Sequence, residues 1–212
     1  RQRTVIFDMD EIDLQRGSPE QAAGAAALIY DADPVLWDCL FDNDLEGAQH
    51  YFEEEWRWEE SIYGCAMTTV ATLQGELLGI EQGLDVEIQQ KFGPGTGIRG
   101  AVRLTAQTAA TLEKYSAYLR YLIPSVPKDV YYLQFLSVKP ELRGKGLGKL
   151  LLSNAFDRAR EKGYRACQLD VSGDTPAVDF YRHMGMETIS ESRVIPLEKL
   201  GLHSHFRLEK VL

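Results

Sequence analysis

The stretch that decides the fold is YYLQFLSVKPELRGKGLGKLL, residues 131–151. Residues 131–138 are mostly aromatic or aliphatic, which is typical of a buried β-strand. A turn rich in glycine follows, and GKLLLSNAFDRAREKG (148–163) then places apolar residues at helical spacing and ends on glycine. The sequence therefore predicts a strand, a glycine turn and a helix, in that order.

The glycine turn comprises residues 143–148, and its position at a helix N-terminus favours anion binding. Main-chain N–H groups without bulky side chains can surround phosphate oxygens, and the positive end of the helix dipole favours their charge. The alternative is an ordinary strand-to-helix turn in which glycine provides only tightness. The spacing favours a diphosphate site made of Arg143, Gly144, Lys145, Gly146, Leu147 and Gly148.

A second strand (165–171) and a short helix in TPAVDFYRHMG (175–185) follow. The order is a strand, Arg-x-x-Gly-x-Gly leading into a helix, a further strand, and a helix with Ala-x-x-Phe-Tyr. This order of elements resembles the GCN5-related N-acetyltransferase (GNAT) family. The resemblance is close over residues 131–186. It implies an α/β (α+β) fold with a mixed, mostly antiparallel sheet of about seven strands, splayed at the cofactor site and flanked by helices. One acetyltransferase domain is expected over residues 1–212, with a helical insertion or lid at 86–128.

The same resemblance implies acetyl-CoA as co-substrate, with no metal, and a small-molecule or peptide amine as acceptor. The Leu136 N–H would polarise the thioester carbonyl, and Tyr181 would protonate the leaving thiolate. Asp174 stands where the family usually has Asn, so it can cap the helix but cannot donate an amide hydrogen bond. The implied cofactor-binding residues are those of the glycine turn together with Leu136, Ser137, Val138, Asp174, Ala177, Phe180 and Tyr181.

The general base is open, because Gln134 stands where the family often has Glu and an amide cannot accept the proton. Glu81, Asp85 and the acidic run Glu53–Glu55 are candidates, but each also fits a structural or solvent-facing role, and the run is predicted to be the solvated face of a helix. No cysteine is placed beside the acetyl group by sequence, which favours direct transfer in a ternary complex. His203 and His205 alternate in a predicted strand and are expected at the surface.

Composition restricts the possible partners and location. The chain has 44% hydrophobic and 26% charged residues, a net charge of −9 and three widely spaced cysteines, Cys39, Cys65 and Cys167. An acidic chain is a poor ligand for nucleic acid, and odd, scattered cysteines suggest free thiols in a reducing compartment. No membrane helix or signal peptide is evident, so a cytoplasmic protein is expected, with a homodimer through the terminal strands as a possible assembly.

Two other functions compete with the acetyltransferase. VIFDMD (5–10) resembles the first motif of haloacid-dehalogenase-type phosphatases, which would use Asp8 and Asp10 with magnesium, although Glu11 replaces the glycine expected nearby. A non-catalytic acyl-CoA-binding module would keep the glycine turn and lose the acid and base; Gln134 favours it and Tyr181 opposes it.

The run GTGIRG (95–100) formally matches a dinucleotide fingerprint but lacks a convincing preceding strand.

Overall fold

The structure is a computed structural model that describes residues 9–212, and its centre is a seven-stranded sheet. The strands follow the order β1-β2-β3-β4-β5-β7-β6, and every neighbouring pair is antiparallel except β4 and β5. The expected mixed, mostly antiparallel sheet is therefore confirmed. The strands are β1 Asp13–Arg16, β2 Thr69–Leu73, β3 Glu76–Leu84, β4 Val130–Val138, β5 Ala166–Ser172, β6 Glu187–Ser192 and β7 His205–Val211.

Eight α-helices are present in the described part of the chain. Three of them, at residues 34–41, 86–92 and 195–198, were not predicted from the sequence. The sequence of residues 102–123 predicts one long helix that Pro124 ends, but the helix begins at Ala106, because a 3₁₀ turn occupies Gly100–Arg103 and Thr105 caps the helix. The helices are α1 Ala22–Ala32, α2 Pro34–Phe41, α3 Leu45–Arg57, α4 Val86–Phe92, α5 Ala106–Leu122, α6 Leu147–Glu161, α7 Ala177–His183 and α8 Ile195–Glu198.

Helices cover both faces of the sheet. On the first face, which we call the α6 face, Leu152, Ala155 and Phe156 of α6 pack with Tyr131 and Leu169 of the central strands. On the opposite face, the α1 face, small residues let α1 lie close to the sheet, and its buried side chains join a core built with α2 and α3. The central strands are therefore buried on both faces, which explains their nearly continuous apolar sequence.

Within the segment 86–128, the part from Gly100 onward packs on the α1 face. Helix α5 lies against α2, Leu122 is fully buried, and the Arg207 guanidinium of β7 donates hydrogen bonds to the carbonyl oxygens of Pro124 and Ser125. The run 95–100 follows α4 rather than a strand, so it lacks the strand–turn–helix context of a dinucleotide site. The segment is thus attached to the core at several points.

The acidic run of α3 was only partly predicted correctly. Glu53 and Glu54 pair with Arg57 near the surface, as expected for a solvated helix face. Glu55, in contrast, is fully buried, and one of its carboxylate oxygens accepts a hydrogen bond of 2.8 Å from the Gly100 N–H. The prediction of a solvated residue is wrong for Glu55, because the tertiary contact with residue 100 turns its side chain inward.

Candidate active site

A gap between β4 and β5 lies at the centre of the sheet. The two strands are paired only at Val130–Tyr132 with Ala166–Gln168, although β4 continues to Val138 and β5 to Ser172. Beyond this point β5 stays paired with β7 and β4 stays paired with β3. The sheet therefore opens at the carboxyl ends of its two parallel strands, the position where α/β proteins commonly bind ligands.

A β-bulge marks the start of the opening. The β3–β4 register shifts at Gln82 and Gly83, which leaves Gln134 of β4 without an opposite residue. Bulges bend a strand and change the direction of the side chains that follow. Leu133 accordingly packs on the α6 face, whereas Phe135 joins the core on the α1 face. The bulge thus accompanies the separation of β4 from β5.

The open edge of β4 carries unpaired main-chain groups. The Lys139 N–H donates to the Leu78 carbonyl of β3 at 2.9 Å. Since successive residues of a strand direct their N–H groups to alternate edges, the N–H groups of Leu136 and Val138 point into the gap. The main chain of Ser137 instead faces β3. Of the three residues expected to bind along β4, two offer their main chain to a ligand in the gap and Ser137 does not.

The glycine turn has the geometry of an anion site. Gly144 and Gly146 adopt φ of +73° and +94°, a left-handed conformation that favours glycine. Helix α6 begins at Leu147, and its N-cap residue, Gly146, has no side chain that could cap the first N–H groups. These donors face outward at the positive end of a 15-residue helix, as an anion site requires. The predicted strand–turn–helix arrangement is confirmed.

The predicted site residues on three different elements converge beside this turn. A Cβ built at Gly148 would lie 3.6 Å from the Phe180 ring of α7 and 3.9 Å from Val138 of β4. Ala177, Phe180 and Tyr181 belong to one apolar cluster, against which Leu136 also packs. The structure therefore brings the end of β4, the first turn of α6 and α7 together at the opening, as the sequence predicted.

Tyr181 is nearly buried, at 8% exposure, and its hydroxyl makes no hydrogen bond to residues 9–212. Burial, and to a lesser degree the nearby Cys167 thiol, raise the pKa of Tyr181 well above its usual value near 10. The phenol therefore stays protonated at neutral pH and can donate a hydrogen bond. Full transfer of its proton to a thiolate would be unfavourable, which argues for a relay in which the phenol is reprotonated as it donates.

Asp174 does not cap α7, contrary to the prediction from sequence. The residue is exposed, and α7 begins after Pro176 without a side-chain cap. The Asp174 carboxylate instead accepts a 2.7 Å hydrogen bond from the Ser172 hydroxyl, and this bond lowers the pKa of Asp174. Its place in the turn after β5 keeps it at the mouth of the gap.

A buried polar cluster closes the bottom of the gap on the α1 face. Arg207 binds Asp170 through Nε at 3.1 Å and Nη2 at 2.5 Å, and the Tyr132 hydroxyl donates to Asp170 at 3.0 Å. These residues lie on β7, β5 and β4, respectively. The cluster joins three strands at Tyr132, the last residue of β4 that pairs with β5.

The corner between α1 and α2, residues 30–33, crosses the open edge. Asp31 forms an ion pair with Arg143 of the glycine turn, which follows β4. Asp33 lies 3.4 Å from His205, which begins β7 on the far side of β5. His205 is only 2% exposed, so the prediction of a surface histidine is wrong; the α1–α2 corner covers it. Sequence reasoning identified neither Asp31 nor Asp33 as a site residue.

The earlier candidates for the general base have other partners. Glu81 is fully buried on the α6 face, where burial raises its pKa despite the Arg158 guanidinium at 2.5 Å. Asp85 caps α4 and also accepts a hydrogen bond of 2.8 Å from the Tyr164 hydroxyl. Glu53 pairs with Arg57, and Glu55 is bound to Gly100. Their structural roles account for each of these carboxylates.

The aspartates of the phosphatase alternative do not form a site that the structure describes. Asp10 lies in a 3₁₀ turn, Met9–Glu11, and the turn leads into the edge strand β1 rather than ending a central strand. Asp8 lies outside the described residues. The stretch SGDTPAVD (172–179) resembles the metal-binding motif of that phosphatase family, but its Asp174 is hydrogen-bonded within the turn that follows β5. The phosphatase interpretation gains no support.

Comparison with known proteins agrees with this geometry. Residues 98–186 match the family model described as the acetyltransferase (GNAT) family. The uncharacterized N-acetyltransferase YjgM of Escherichia coli (strain K12) is 39% identical over 62 residues, which are 29% of this chain and 37% of that protein. The matched segments span roughly a third of the length of the curated relatives, from 27% to 37%.

Solved structures share the fold over nearly the whole chain. An N-acetyltransferase from Staphylococcus aureus Mu50 superposes with a TM-score of 0.68 at 15% identity, covering 93% of this chain and 100% of that one. A Bacillus subtilis acetyltransferase in complex with CoA superposes with a TM-score of 0.53 at 15% identity, covering 95% and 98%. Within residues 9–212, no helix has the length and apolarity needed to cross a membrane.

Proposed function

Because residues 98–186 match the acetyltransferase (GNAT) family model, we propose that the chain transfers an acetyl group from acetyl-CoA to a primary amine, by direct attack in a ternary complex. The observation that carries the proposal is the gap between β4 and β5, with uncapped helix N–H groups at its mouth. This combination suits an extended ligand with a diphosphate at one end and a reactive group at the other.

The residues present fit CoA. The N–H groups at the start of α6 would hold the diphosphate, with Gly144 and Gly146 keeping the turn open. The N–H groups of Leu136 and Val138 would bind the extended pantetheine arm as an added strand would be bound. The apolar side chains of Ala177 and Phe180 would cover the thiol end. When bound, the cofactor supplies a thioester, whose carbonyl carbon is the electrophile.

The protein then has to stabilise charge on the carbonyl oxygen and to protonate the departing sulfur. The Leu136 N–H points into the gap and would stabilise negative charge on the carbonyl oxygen. Tyr181 would donate a hydrogen bond to the departing sulfur and relay a proton to it. All three cysteines are buried, and burial raises the pKa of each; the pKa of Cys167 is about 12. A thiol in this state is a poor nucleophile, which supports direct transfer rather than an acyl-cysteine route.

The segment 86–128 is proposed to be a fixed wall of the acceptor side rather than a lid. Thr108 and Leu122 of α5 are buried, and the hydrogen bonds from Arg207 fix the residues that follow this helix. A lid needs an element with few buried contacts. Partial proteolysis tests this: cleavage within 86–128 should be no faster without acetyl-CoA than with it.

Thermal unfolding with and without ligand tests the function. A ligand at 100 times its Kd stabilises the folded state by about 2.7 kcal/mol, or about 5–10 °C in Tm for a chain of this size. Acetyl-CoA and CoA should both give this shift, and magnesium with a phosphate analogue should give none. Release of free thiol with a panel of primary amines then tests transfer. A chain that CoA does not stabilise would refute the proposal, and binding without transfer to any amine would indicate a carrier module.

A further inference from the structure

His205 is a buried imidazole at the mouth of the gap, and no function described so far uses it. It stands opposite Ser172, the last residue of β5. Its side chain lies on the α1 face, because it alternates with Phe206, which packs on the α6 face, and shares its face with Arg207. In a continuous parallel ladder from Tyr132 and Gln168, Ser172 would lie opposite the part of β4 around Leu136. His205 is therefore level with the proposed site of the thioester.

Its contacts fix which ring nitrogen is basic. His205 Nε2 lies 3.4 Å from Asp33 Oδ2, and an ionised carboxylate can only accept a hydrogen bond. Nε2 therefore carries the hydrogen, and Nδ1 keeps its lone pair. His205 Nδ1 is buried and has no partner among residues 9–212. Since an unpartnered buried polar atom is costly, this nitrogen is available for a group that the chain does not supply.

The charged groups around His205 suit a proton acceptor. Asp33 faces it from the α1–α2 corner, and Asp174 and His203 lie close to it on the neighbouring turns. Next along the same face, the charges of Arg207 and Asp170 compensate each other within a closed pair. A cation formed on His205 would thus have two carboxylates nearby, and the neighbouring Arg207 guanidinium is compensated by Asp170.

We propose that His205 Nδ1 removes the proton from the acceptor's ammonium group, that Asp33 positions the imidazole, and that the amine binds beneath the α1–α2 corner. This proposal rests on the proposed acetyl transfer and assigns the general base that this reaction requires. It places the base on β7, at the opposite side of the gap from Gln134 of β4. The class of ligand is a primary amine that enters protonated, which an acidic corner with Asp31 and Asp33 would accept.

One ammonium proton passes to Nδ1, and the amine nitrogen forms a bond to the thioester carbonyl carbon while the carbon–sulfur bond breaks. The sulfur leaves with the electron pair of that bond and gains a proton through the Tyr181 hydroxyl, which recovers one from the amine nitrogen. The products are an amide, a free thiol and one proton on His205, which is released to solvent. No oxidant, reductant or metal is required.

The test compares His205→Gln with His203→Gln, because residue 203 is an exposed histidine two positions away. Acetylation of putrescine, tyramine, glucosamine and an alanyl peptide is measured from pH 6 to 9, beside acetyl-CoA affinity by calorimetry. His205→Gln should lower kcat about 10²-fold at pH 7, within the usual range for a general base, and leave the acetyl-CoA Kd within twofold. Below the pKa of each amine, its residual rate should rise by up to tenfold per pH unit as free amine increases, whereas His203→Gln should behave like the unaltered chain.

A second readout does not depend on turnover. Nitrogen-15 NMR of histidine-labelled protein, with the His205 signal assigned by its loss in His205→Gln, should show the Nε2–H tautomer. Asp33→Asn should shift this tautomer balance while retaining the α2 cap, since the Asn side chain can still accept from the Leu36 N–H. Its kcat should fall about tenfold, with KM little changed.

The outcomes separate the two proposals. If no amine is acetylated by the unaltered chain, the proposed function fails, and the NMR spectrum still decides the state of His205. An Nδ1–H tautomer would overturn the proposal, because that nitrogen could not accept a proton. Equal pH profiles for His205→Gln and the unaltered chain would also overturn it and leave acetyl transfer itself intact.

Discussion

Replacing Gly146 with alanine separates the binding role of the glycine turn from its structural role, because α6 offers a matched control at its other end. Gly146 precedes the helix with φ of +94°, and Gly163 follows it with φ of +79°. Among residues 9–212, a Cβ at Gly163 would meet nothing within 4 Å, and a Cβ at Gly146 would meet only the end of Met9 at 3.9 Å. Neither substitution creates a clash, so both carry the same kind of cost, that of a side chain in the left-handed region.

The magnitudes follow from this geometry. A non-glycine residue in a left-handed conformation costs about 1–2 kcal/mol, so each variant should lose about 2–8 °C in Tm. If residue 146 relaxes to relieve the strain, the N–H groups at the start of α6 turn away from a common point. Each charge-assisted hydrogen bond lost to a phosphate costs about 1.5–3 kcal/mol. Gly146→Ala should therefore weaken CoA binding by roughly 10- to 150-fold, and Gly163→Ala should leave it within twofold.

Isothermal titration of CoA into both variants, with thermal unfolding of each, measures these effects. Desulfo-CoA or CoA itself serves as ligand, so that no acceptor is needed. Two folded variants with equal losses of Tm and equal CoA affinities would refute the anion-binding role of the glycine turn. In that case Gly146 would serve only to connect β4 to α6.

Three further predictions concern other parts of the site. Tyr181→Phe should lower kcat about 10²-fold at unchanged KM, and an unchanged kcat would exclude the relay. The same substitution should change Tm by less than about 2 °C, because the hydroxyl makes no hydrogen bond within residues 9–212. Arg207→Met should destabilise the chain by about 3–5 kcal/mol in urea unfolding, since it leaves the buried Asp170 carboxylate uncompensated, and adding Asp170→Asn should recover part of the loss. The folded protein should keep full activity after an hour with a maleimide at pH 7, as the pKa of the buried Cys167 is about 12; rapid inactivation would instead support an acyl-cysteine route.

The donor side of the site could be predicted because it is local in sequence. Strand β4, the glycine turn and α6 lie within residues 130–161, and their patterns of period 2 and 3.6 are clear. The positive φ at Gly144 and Gly146 agrees with the residue type at each position. The direction of the Ser137 main chain was not foreseen, because it depends on the register between β4 and β3 rather than on the sequence of β4 alone.

Single residues on the helices and turns were predicted less well, because of a tertiary contact at Glu55 and because of local contacts at Asp174 and α2. Glu55 belongs to an acidic run that suggests solvent, yet its contact with Gly100 lies 45 residues away and buries it. Asp174 is well placed in sequence to cap α7, but the Ser172 hydroxyl binds its carboxylate instead. Helix α2 was not predicted, although its signals are local: Asp33 caps the helix and Pro34 opens it.

The acceptor side could not be derived from sequence, because it depends on contacts between residues that are far apart in the chain. His205 and Asp33 are 172 positions apart, and Arg143 and Asp31 are 112 apart. Only the assembled sheet places β7 beside β5, and only the packing of α1 on that sheet brings residues 30–33 across the gap. Family motifs are short, and they specify the part of the site that binds the shared acyl carrier. A residue that serves one particular acceptor can lie on any element that reaches the gap. The base should therefore be sought among buried, unpartnered groups at the opening, and His205 is the histidine there with a free basic nitrogen.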